Sequence, residues 1–357
     1  MAKQRIYIGT YTDQATPSEG IYLYEFDPAT AKLDLLGAVG KADDPGFLTL
    51  SADGRFLYTI NELTQFKGQD GGGVTAFAVD RATGKLTFLN DQPTHGKHPC
   101  HITLDPSGRW ALVANYSSGS LSIFPVQADG RLGPASSVIQ NQGHGPRPEQ
   151  EAAHVHSTLF DPTGRYLLVS DLGIDQILIY DFDASTGKPH AHNPAAIHTD
   201  AGAGPRHMTF HPNKRWFYQV NELNGSVGAY AFDANQGSFT HLHTVSTLPA
   251  DFHDHVNSAD IHITPNGKFL YASTRGYDSI AVFAIDQQTG HLSRVELITE
   301  NINWPRNFAI DGTGEYLLVA NQHNNTVVTF RIDATTGRLT QVGDIIQVPF
   351  PVCVLPV

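Results

Sequence analysis

At 357 residues, the chain is long enough for two ordinary domains or for one large all-β ring. Its hydrophobic content of 40% suits a globular protein, and no apolar run approaches the ~20 residues that span a bilayer, which argues against a membrane partner. The formal net charge of −12 argues against a nucleic-acid partner, because phosphate contacts need clustered lysine and arginine, and two cysteines are too few for a disulfide scaffold.

The N-terminal residues lead directly into a strand-like stretch at 5–9, without the apolar segment of a signal peptide. We therefore expect a cytoplasmic protein. The stretch at 5–9 resembles the second strand of the repeated unit described next, and no matching first strand precedes it.

A six-residue phrase that predicts a β-strand recurs at intervals of roughly fifty residues. Most copies follow a tight turn such as Asp105-Pro106-Ser107-Gly108. A period of this size indicates a closed ring or a stack of similar small sheets. The copies are 56–61, 110–115, 166–171, 216–221, 269–274 and 316–321.

A second marker, Asp-x-x-Thr-Gly-x-Leu or a close relative, counts the units. It occurs in seven copies, near Lys32, Gly84, Gly130, Gly187, Gly237, Gly290 and Gly337. Each unit has the pattern of four short strands, which we name a to d, as in a propeller blade. In the third unit, strand a is predicted at 101–104, strand b at 110–115 and strand c at 120–124.

The C-terminal segment 351–355 resembles the start of strand a in other units, such as 305–309. It would supply the strand that the first unit lacks and would close the ring, protecting open sheet edges. The sequence therefore predicts a single domain over 1–357, a seven-bladed β-propeller of four-stranded antiparallel blades. A linear β-solenoid is the main alternative, and this complementarity of the termini counts against it.

Antiparallel strands place the b–c and d–a connections at one end of the ring and the short turns at the other. Every long connection belongs to the first group, so that end is the elaborated face, where sites are usually built. The long connections are predicted at 12–20, 63–73, 140–153, 189–204 and 248–257.

Starts of strand a and ends of strand b meet beside the channel at the elaborated face. Units four to six place there a candidate base, a carboxylate and two guanidinium groups: His156, Glu222, Arg206 and Arg275. Each could instead be structural: a buried histidine, a solvated loop carboxylate, or arginines in channel salt bridges. Their convergence from separate units favours a functional site.

Other positions around the same mouth rank lower. Gln322 is a candidate substrate contact, and His154 is one too, because it could take the place of His156. Glu62 follows an asparagine as Glu222 does, but its sequence neighbours lack arginine and histidine. We predict no metal and no cofactor, since no Glu or Cys completes a known ligand spacing with the histidines. No Gly-x-Ser-x-Gly motif is present, which argues against a common serine hydrolase.

Two segments resemble the lactonase-type seven-bladed propellers, a family that includes bacterial 6-phosphogluconolactonase and the fungal carboxy-muconate lactonizing enzyme. They are GPRHMTFHPN at 204–213 with VNELN at 220–224, and ADIHITPNG at 259–267 running on to Arg275. The resemblance spans essentially the whole chain. It implies His156 and Glu222 as the central polar pair and Arg206 and Arg275 as anion-binding residues, with no metal required.

The resemblance implies hydrolysis of a sugar-acid lactone, with 6-phosphogluconolactone as the first candidate. Glu222 or His156 would activate a water, Arg275 would stabilise the oxyanion, and Arg206 would bind phosphate. Closure of a carboxy-muconate into a lactone could use the same four residues, and a non-enzymatic interaction platform is a further alternative. The expected partner is an anionic sugar lactone, and the expected assembly is a monomer or a weak homo-oligomer.

Overall fold

The computed structural model describes residues 2–12 and 17–357, and the strands within them form seven four-stranded antiparallel sheets. Each sheet is one blade, and its strands a to d run outward from a central channel. Strand a of each blade contacts strand a of the next blade all the way round, so the ring is closed. The predicted fold is confirmed.

The strand bounds are given in the order a, b, c, d. Blades 1 to 4 are Pro351–Pro356, Gln4–Thr10, Ile21–Asp27 and Lys32–Gly40; Leu48–Leu50, Phe56–Asn61, Gly73–Val79 and Leu86–Pro93; Pro99–Leu104, Trp110–Asn115, Ser120–Pro125 and Ser137–Gln140; Val155–Phe160, Tyr166–Asp171, Gln176–Asp183 and Lys188–His198. Blades 5 to 7 are Pro205–Phe210, Trp216–Asn221, Ser226–Asp233 and Ser238–Ser246; Asn257–Ile263, Phe269–Arg275, Ser279–Ile285 and Leu292–Ile298; Pro305–Ile310, Tyr316–Asn321, Thr326–Ile332 and Leu339–Gln347.

The connections contain little further structure. A hairpin of Gln65–Phe66 and Gln69–Asp70 lies in the b–c loop of blade 2, and Pro148–Gln150 and Leu172–Ile174 are single 3₁₀ turns. Within residues 2–12 and 17–357, no helix is long and apolar enough to cross a membrane. The prediction of a long loop at 189–204 is wrong, because most of it is the outermost strand of blade 4. Part of the loop predicted at 12–20 lies outside the described residues.

Ring closure joins the two ends of the chain. The C-terminal strand Pro351–Pro356 pairs antiparallel with Gln4–Thr10, with Val354 opposite Ile8. Val352 and Cys353 are buried, and Cys353 packs in an apolar cluster with residues of blades 1 and 2, so this strand is part of the packed interior. The predicted closure by the C-terminal segment is confirmed.

The two repeated sequence phrases bind one another across blade boundaries. The hydroxyl of Tyr218 in strand b of blade 5 donates to the carbonyl of Gly290 in the c–d turn of blade 6 at 2.8 Å, and Tyr271 donates to Gly337 at 2.8 Å. Gly337 has φ of 73°, and a Cβ there would lie 2.4 Å from the Phe269 ring, so glycine is required on both grounds. These contacts fix each blade against the next.

Strand a is irregular near its start in six blades that follow one another round the ring, blades 3 to 7 and blade 1. A β-bulge or similar break in register leaves one or two residues out of the ladder with strand b, and such breaks often redirect side chains at active sites. The residues concerned are Cys100 in blade 3, His156 in blade 4, Arg206 and His207 in blade 5, Ala259 and Asp260 in blade 6, Arg306 in blade 7 and Val352 in blade 1.

Candidate functional site

The structure brings together the four residues that the sequence singled out. His156 and Arg206 lie in the bulges of neighbouring blades, Glu222 follows strand b of blade 5, and Arg275 ends strand b of blade 6. All four side chains are largely buried at the elaborated end of the channel, and Glu222 is the most exposed of them at 13%.

Glu222 lies between two guanidinium groups. Its Oε1 accepts a hydrogen bond from Nη2 of Arg275 at 2.9 Å, and its Oε2 is 2.9 Å from Nε of Arg206. Arg275 is itself held by the backbone, because its Nε donates to the carbonyl of Asn257 at 2.9 Å. Arg206 donates through Nη1 to the carbonyl of Ala259. The carboxylate is therefore fixed by arginines that the backbone fixes in turn.

The Oε2 atom of Glu222 retains capacity to accept a hydrogen bond. Its approach to Nε of Arg206 is an ion pair without hydrogen-bond geometry, and no donor from the described residues satisfies it. Nε2 of His156 is 3.8 Å away, too far for a hydrogen bond. A water or a substrate hydroxyl placed to one side of both atoms could bond to each.

Charge and burial set the protonation states here. Burial alone would raise the pKa of Glu222, but the charges of Arg275, Arg206 and Arg306 outweigh it and hold the pKa below the ordinary value. Burial, with the nearby Arg206 charge, lowers the pKa of His156 well below its usual range. At neutral pH the site therefore contains an ionised Glu222 and a neutral His156.

A second carboxylate–arginine pair lies at the mouth of the channel, and it contains Glu62, which the sequence ranked low. Nη2 of Arg306 lies 3.0 and 3.1 Å from the two carboxylate oxygens of Glu62, and the Tyr11 hydroxyl donates to Glu62 at 2.7 Å. The arginine absent from the sequence neighbourhood of Glu62 comes from blade 7. Three guanidinium groups against two carboxylates leave one net positive charge at the mouth.

Two further predicted contacts lie beside the Glu222 cluster rather than in it. The ring of His154 stacks on that of Tyr116, with centroids 4.5 Å apart. Its Nδ1 is 3.1 Å from the Tyr116 carbonyl oxygen, and its Nε2 is 3.3 Å from the Glu151 carboxylate. Gln322 is buried, and in the described part of the chain its Oε1 has no hydrogen-bond partner. Of the two histidines, the structure places His156 next to Glu222. A role for His154 and Gln322 in substrate binding stays a prediction.

Among residues 2–12 and 17–357, no three His, Cys, Asp or Glu side chains are grouped so that they could hold a metal ion. At the mouth itself, the carboxylates of Glu62 and Glu222 are occupied by arginines. The groups left to contact a ligand are guanidinium N–H groups, which suit an anion and not a cation.

The buried histidines predict an acid-sensitive fold. Burial lowers the pKa of His207 to about 4, and that of His156 is also depressed, whereas an unfolded histidine titrates near ~6.5. Between these values the unfolded chain binds more protons than the folded one, so the free energy of unfolding should fall as pH drops from 6.5 to 4.5. His207 alone could contribute on the order of 3 kcal/mol when fully titrated. His262, which also binds Asp260, has a raised pKa, so its stabilising contribution is lost only as pH rises above ~6.5, outside this range.

Urea unfolding at a series of pH values measures this dependence. We expect His156→Gln to flatten the slope between pH 6.5 and 4.5, because it removes one of the depressed groups. Equal stability of the wild type at pH 4.5 and pH 7 would contradict the assignment of neutral, buried histidines.

The fold and the site together define a class: a seven-bladed propeller with a buried, arginine-rich polar site at one end of its channel. A family model described as "Lactonase, 7-bladed beta-propeller" matches residues 5–356, and the chain belongs to this family. The resemblance drawn from the 204–224 and 259–275 segments is therefore confirmed.

Relatives of known name cover nearly the full chain. It is 38% identical over 355 residues to a protein of Bacillus subtilis named 6-phosphogluconolactonase, covering 99% of this chain and 98% of the relative. A protein of the same name from Formosa agariphila is 37% identical, with 87% of each chain covered. The solved structure of the periplasmic gluconolactonase of Pseudomonas aeruginosa is 33% identical, covers 100% of this chain and 99% of that one, and superimposes with a TM-score of 0.94.

Proposed function

We propose that this chain hydrolyses the ring ester of a sugar-acid lactone, with 6-phosphogluconolactone as the preferred substrate. The observation that carries the proposal is the gap between Nε2 of His156 and Oε2 of Glu222, set at 3.8 Å within a net positive mouth. A water placed to one side of these two atoms can bond to both, and the surrounding arginines suit both a carbonyl that becomes an oxyanion and an anionic substrate. The relatives named 6-phosphogluconolactonase support the choice of substrate.

In the proposed reaction, water attacks the lactone carbonyl carbon while Nε2 of His156 takes one of its protons. Glu222 stabilises the imidazolium that forms, and Arg275 stabilises the oxyanion. The carbon–oxygen bond of the ring then breaks, His156 returns its proton to the departing ring oxygen, and the new carboxylic acid ionises. The net change is one water consumed and one proton released.

The exposed fractions of the three arginine side chains indicate which of them contacts the substrate phosphate. The side chain of Arg206 is 3% exposed and that of Arg275 is 7% exposed, whereas Arg306 is 17% exposed. We therefore assign the phosphate contact mainly to Arg306, with Arg206 as the second contact that also holds Glu222. A planar guanidinium can meet phosphate oxygens with two parallel hydrogen bonds.

The test is hydrolysis of freshly prepared lactones near neutral pH, corrected for the spontaneous reaction, with phosphorylated and unphosphorylated gluconolactone compared side by side. We expect Arg306→Ala to lower kcat/KM for the phosphorylated lactone by about 10- to 100-fold, from one lost charged contact, and to change the unphosphorylated reaction little. Arg206→Ala should lower both rates, because Glu222 loses its orientation. No turnover of any lactone by a folded wild type would refute the proposal.

A second candidate substrate is an unphosphorylated gluconolactone. It is favoured by one observation, the likeness to the periplasmic gluconolactonase of Pseudomonas aeruginosa across the full chain. The same assay decides between the two, since a wild type that prefers the unphosphorylated lactone would remove the phosphate role from Arg306.

We propose the cytoplasm as the place of action, because a phosphorylated sugar lactone is formed inside the cell. A complete site within one ring needs no second copy of the chain, which supports a monomer or a weak homo-oligomer.

A further inference from the structure

Directly behind His156 lies a buried carboxylate–histidine pair that the proposed reaction does not yet use. Nδ1 of His207 is 2.8 Å from Oδ1 of Asp260, and both residues come from the bulges at the start of strand a, in blades 5 and 6. His207 is 7% exposed and Asp260 is 3% exposed. The ring of His207 contacts that of His156 edge to face, with centroids 5.4 Å apart.

Asp260 fixes the tautomer of His207. Its Oδ1 also accepts from the backbone N–H of Ile261 at 3.0 Å, and its Oδ2 is 2.6 Å from Nδ2 of Asn307 and 3.1 Å from Nε2 of His262. A carboxylate with this many donors is an ionised acceptor, so Nδ1 of His207 must carry the proton. Nε2 of His207 is then a lone-pair acceptor.

Where the rings of His156 and His207 meet, two buried ring nitrogens remain without a partner among the described residues, one on each histidine. Nε2 of His207 and Nδ1 of His156 have almost no exposed surface and no hydrogen-bond partner among the described residues. Buried polar atoms are nearly always paired, with protein or with an ordered water. One of these atoms is an acceptor, and the other can be a donor.

We propose that His207, held by Asp260, is a positioning residue that fixes the tautomer of His156 through one buried water. The water donates to Nε2 of His207 and accepts from the N–H at Nδ1 of His156. Nε2 of His156 is thereby left as a lone pair facing Glu222, in the state that a general base requires. The inference rests on the proposed function for its catalytic meaning, but the tautomer itself can be measured without any turnover.

The direct test uses protein labelled with ¹⁵N in its histidine rings, with the His156 signals identified by their loss in His156→Gln. The wild type should show His156 neutral and protonated at Nδ1 near pH 7. Protonation at Nε2 in the wild type would overturn the proposal, whatever the activity. In His207→Asn both neutral tautomers of His156, protonated at Nδ1 and at Nε2, should be populated.

A matched pair of variants tests the functional consequence. In His207→Asn the amide can replace Nδ1 and keep the bond to Asp260, whereas in His207→Gln the amide oxygen can replace Nε2. We expect the Asn variant to lose about 10- to 100-fold in kcat with KM within about twofold, and the Gln variant to lose clearly less. A purely structural role predicts the reverse order or equal losses, and either result would overturn the proposal.

His262→Gln is the control for a weakened hold on Asp260, since His262 binds Oδ2 of Asp260 whereas His207 binds Oδ1. We expect it to keep kcat within about threefold and to leave the His156 tautomer unchanged. A loss equal to that of His207→Asn would show that any disturbance of Asp260 suffices and would overturn the specific role of His207. Absence of lactonase activity in the wild type, with the His156 tautomer as expected, would instead refute only the proposed function.

Discussion

Glu222→Gln is expected to lower kcat for lactone hydrolysis by about 10²- to 10⁴-fold, because His156 depends on the Glu222 carboxylate to act as the general base. The amide keeps the shape of the carboxylate but not its charge. His156 would then have to accept a proton beside Arg206 and Arg275, with no negative charge next to it. The same change should leave binding of the 6-phosphogluconate product at least as tight as in the wild type, because the mouth gains positive charge.

The combination of lost turnover and retained product binding separates this effect from misfolding. Removing one partner of a buried ion pair can cost about 3–5 kcal/mol, so thermal unfolding of the variant must be measured as well. Glu62→Gln is the matched control, because it removes the same charge from the Arg306 side of the mouth. It should lower kcat far less than Glu222→Gln; equal losses would mean that net charge matters and the position of Glu222 does not.

Arg275→Met is expected to lower kcat by about 10²- to 10³-fold, the size expected for loss of one oxyanion contact. The arginine is fixed by the Asn257 carbonyl and by Glu222, and its guanidinium lies over the Trp304 ring at 5.7 Å, so its position is set before substrate arrives. Burial lowers its pKa to about 10, which still leaves it charged at neutral pH.

Arg275→Lys distinguishes charge from geometry. It restores a positive charge but cannot reach Glu222 and the Asn257 carbonyl together, so its kcat should fall between those of the wild type and Arg275→Met. Steady-state kinetics with the phosphorylated lactone provide the comparison. If Arg275→Met stays within about threefold of the wild-type kcat, Arg275 does not stabilise the oxyanion.

The fold was predictable because its two repeated phrases perform the same task in each blade. The aromatic residues of strand b and the Thr-Gly turns contact one another between neighbours, as Tyr218 and Gly290 do, so their pattern in sequence records the ring. The error at 189–204 has a local cause: its proline and histidine content suits a loop, yet Lys188–His198 pairs with strand c as an edge strand.

The site was predictable only in part. His156, Arg206, Glu222 and Arg275 come from neighbouring blades 4 to 6, so blade order alone places them together. Arg306 and Glu62 are 244 residues apart, and they meet because a long side chain from blade 7 reaches across the closed ring to blade 2. The bulges that free His156 and His207 from the strand ladder leave no clear pattern in a single sequence, so the histidine–aspartate pair could not be foreseen.

The most direct test of the central claim is a crystal structure of the wild type with the 6-phosphogluconate product bound. We predict the new carboxylate beside Arg275, within reach of His156 and Glu222, and the phosphate on Arg306 with Arg206 behind it. Product bound at the opposite end of the channel, or at the mouth without contact to Glu222 or its arginines, would contradict the account.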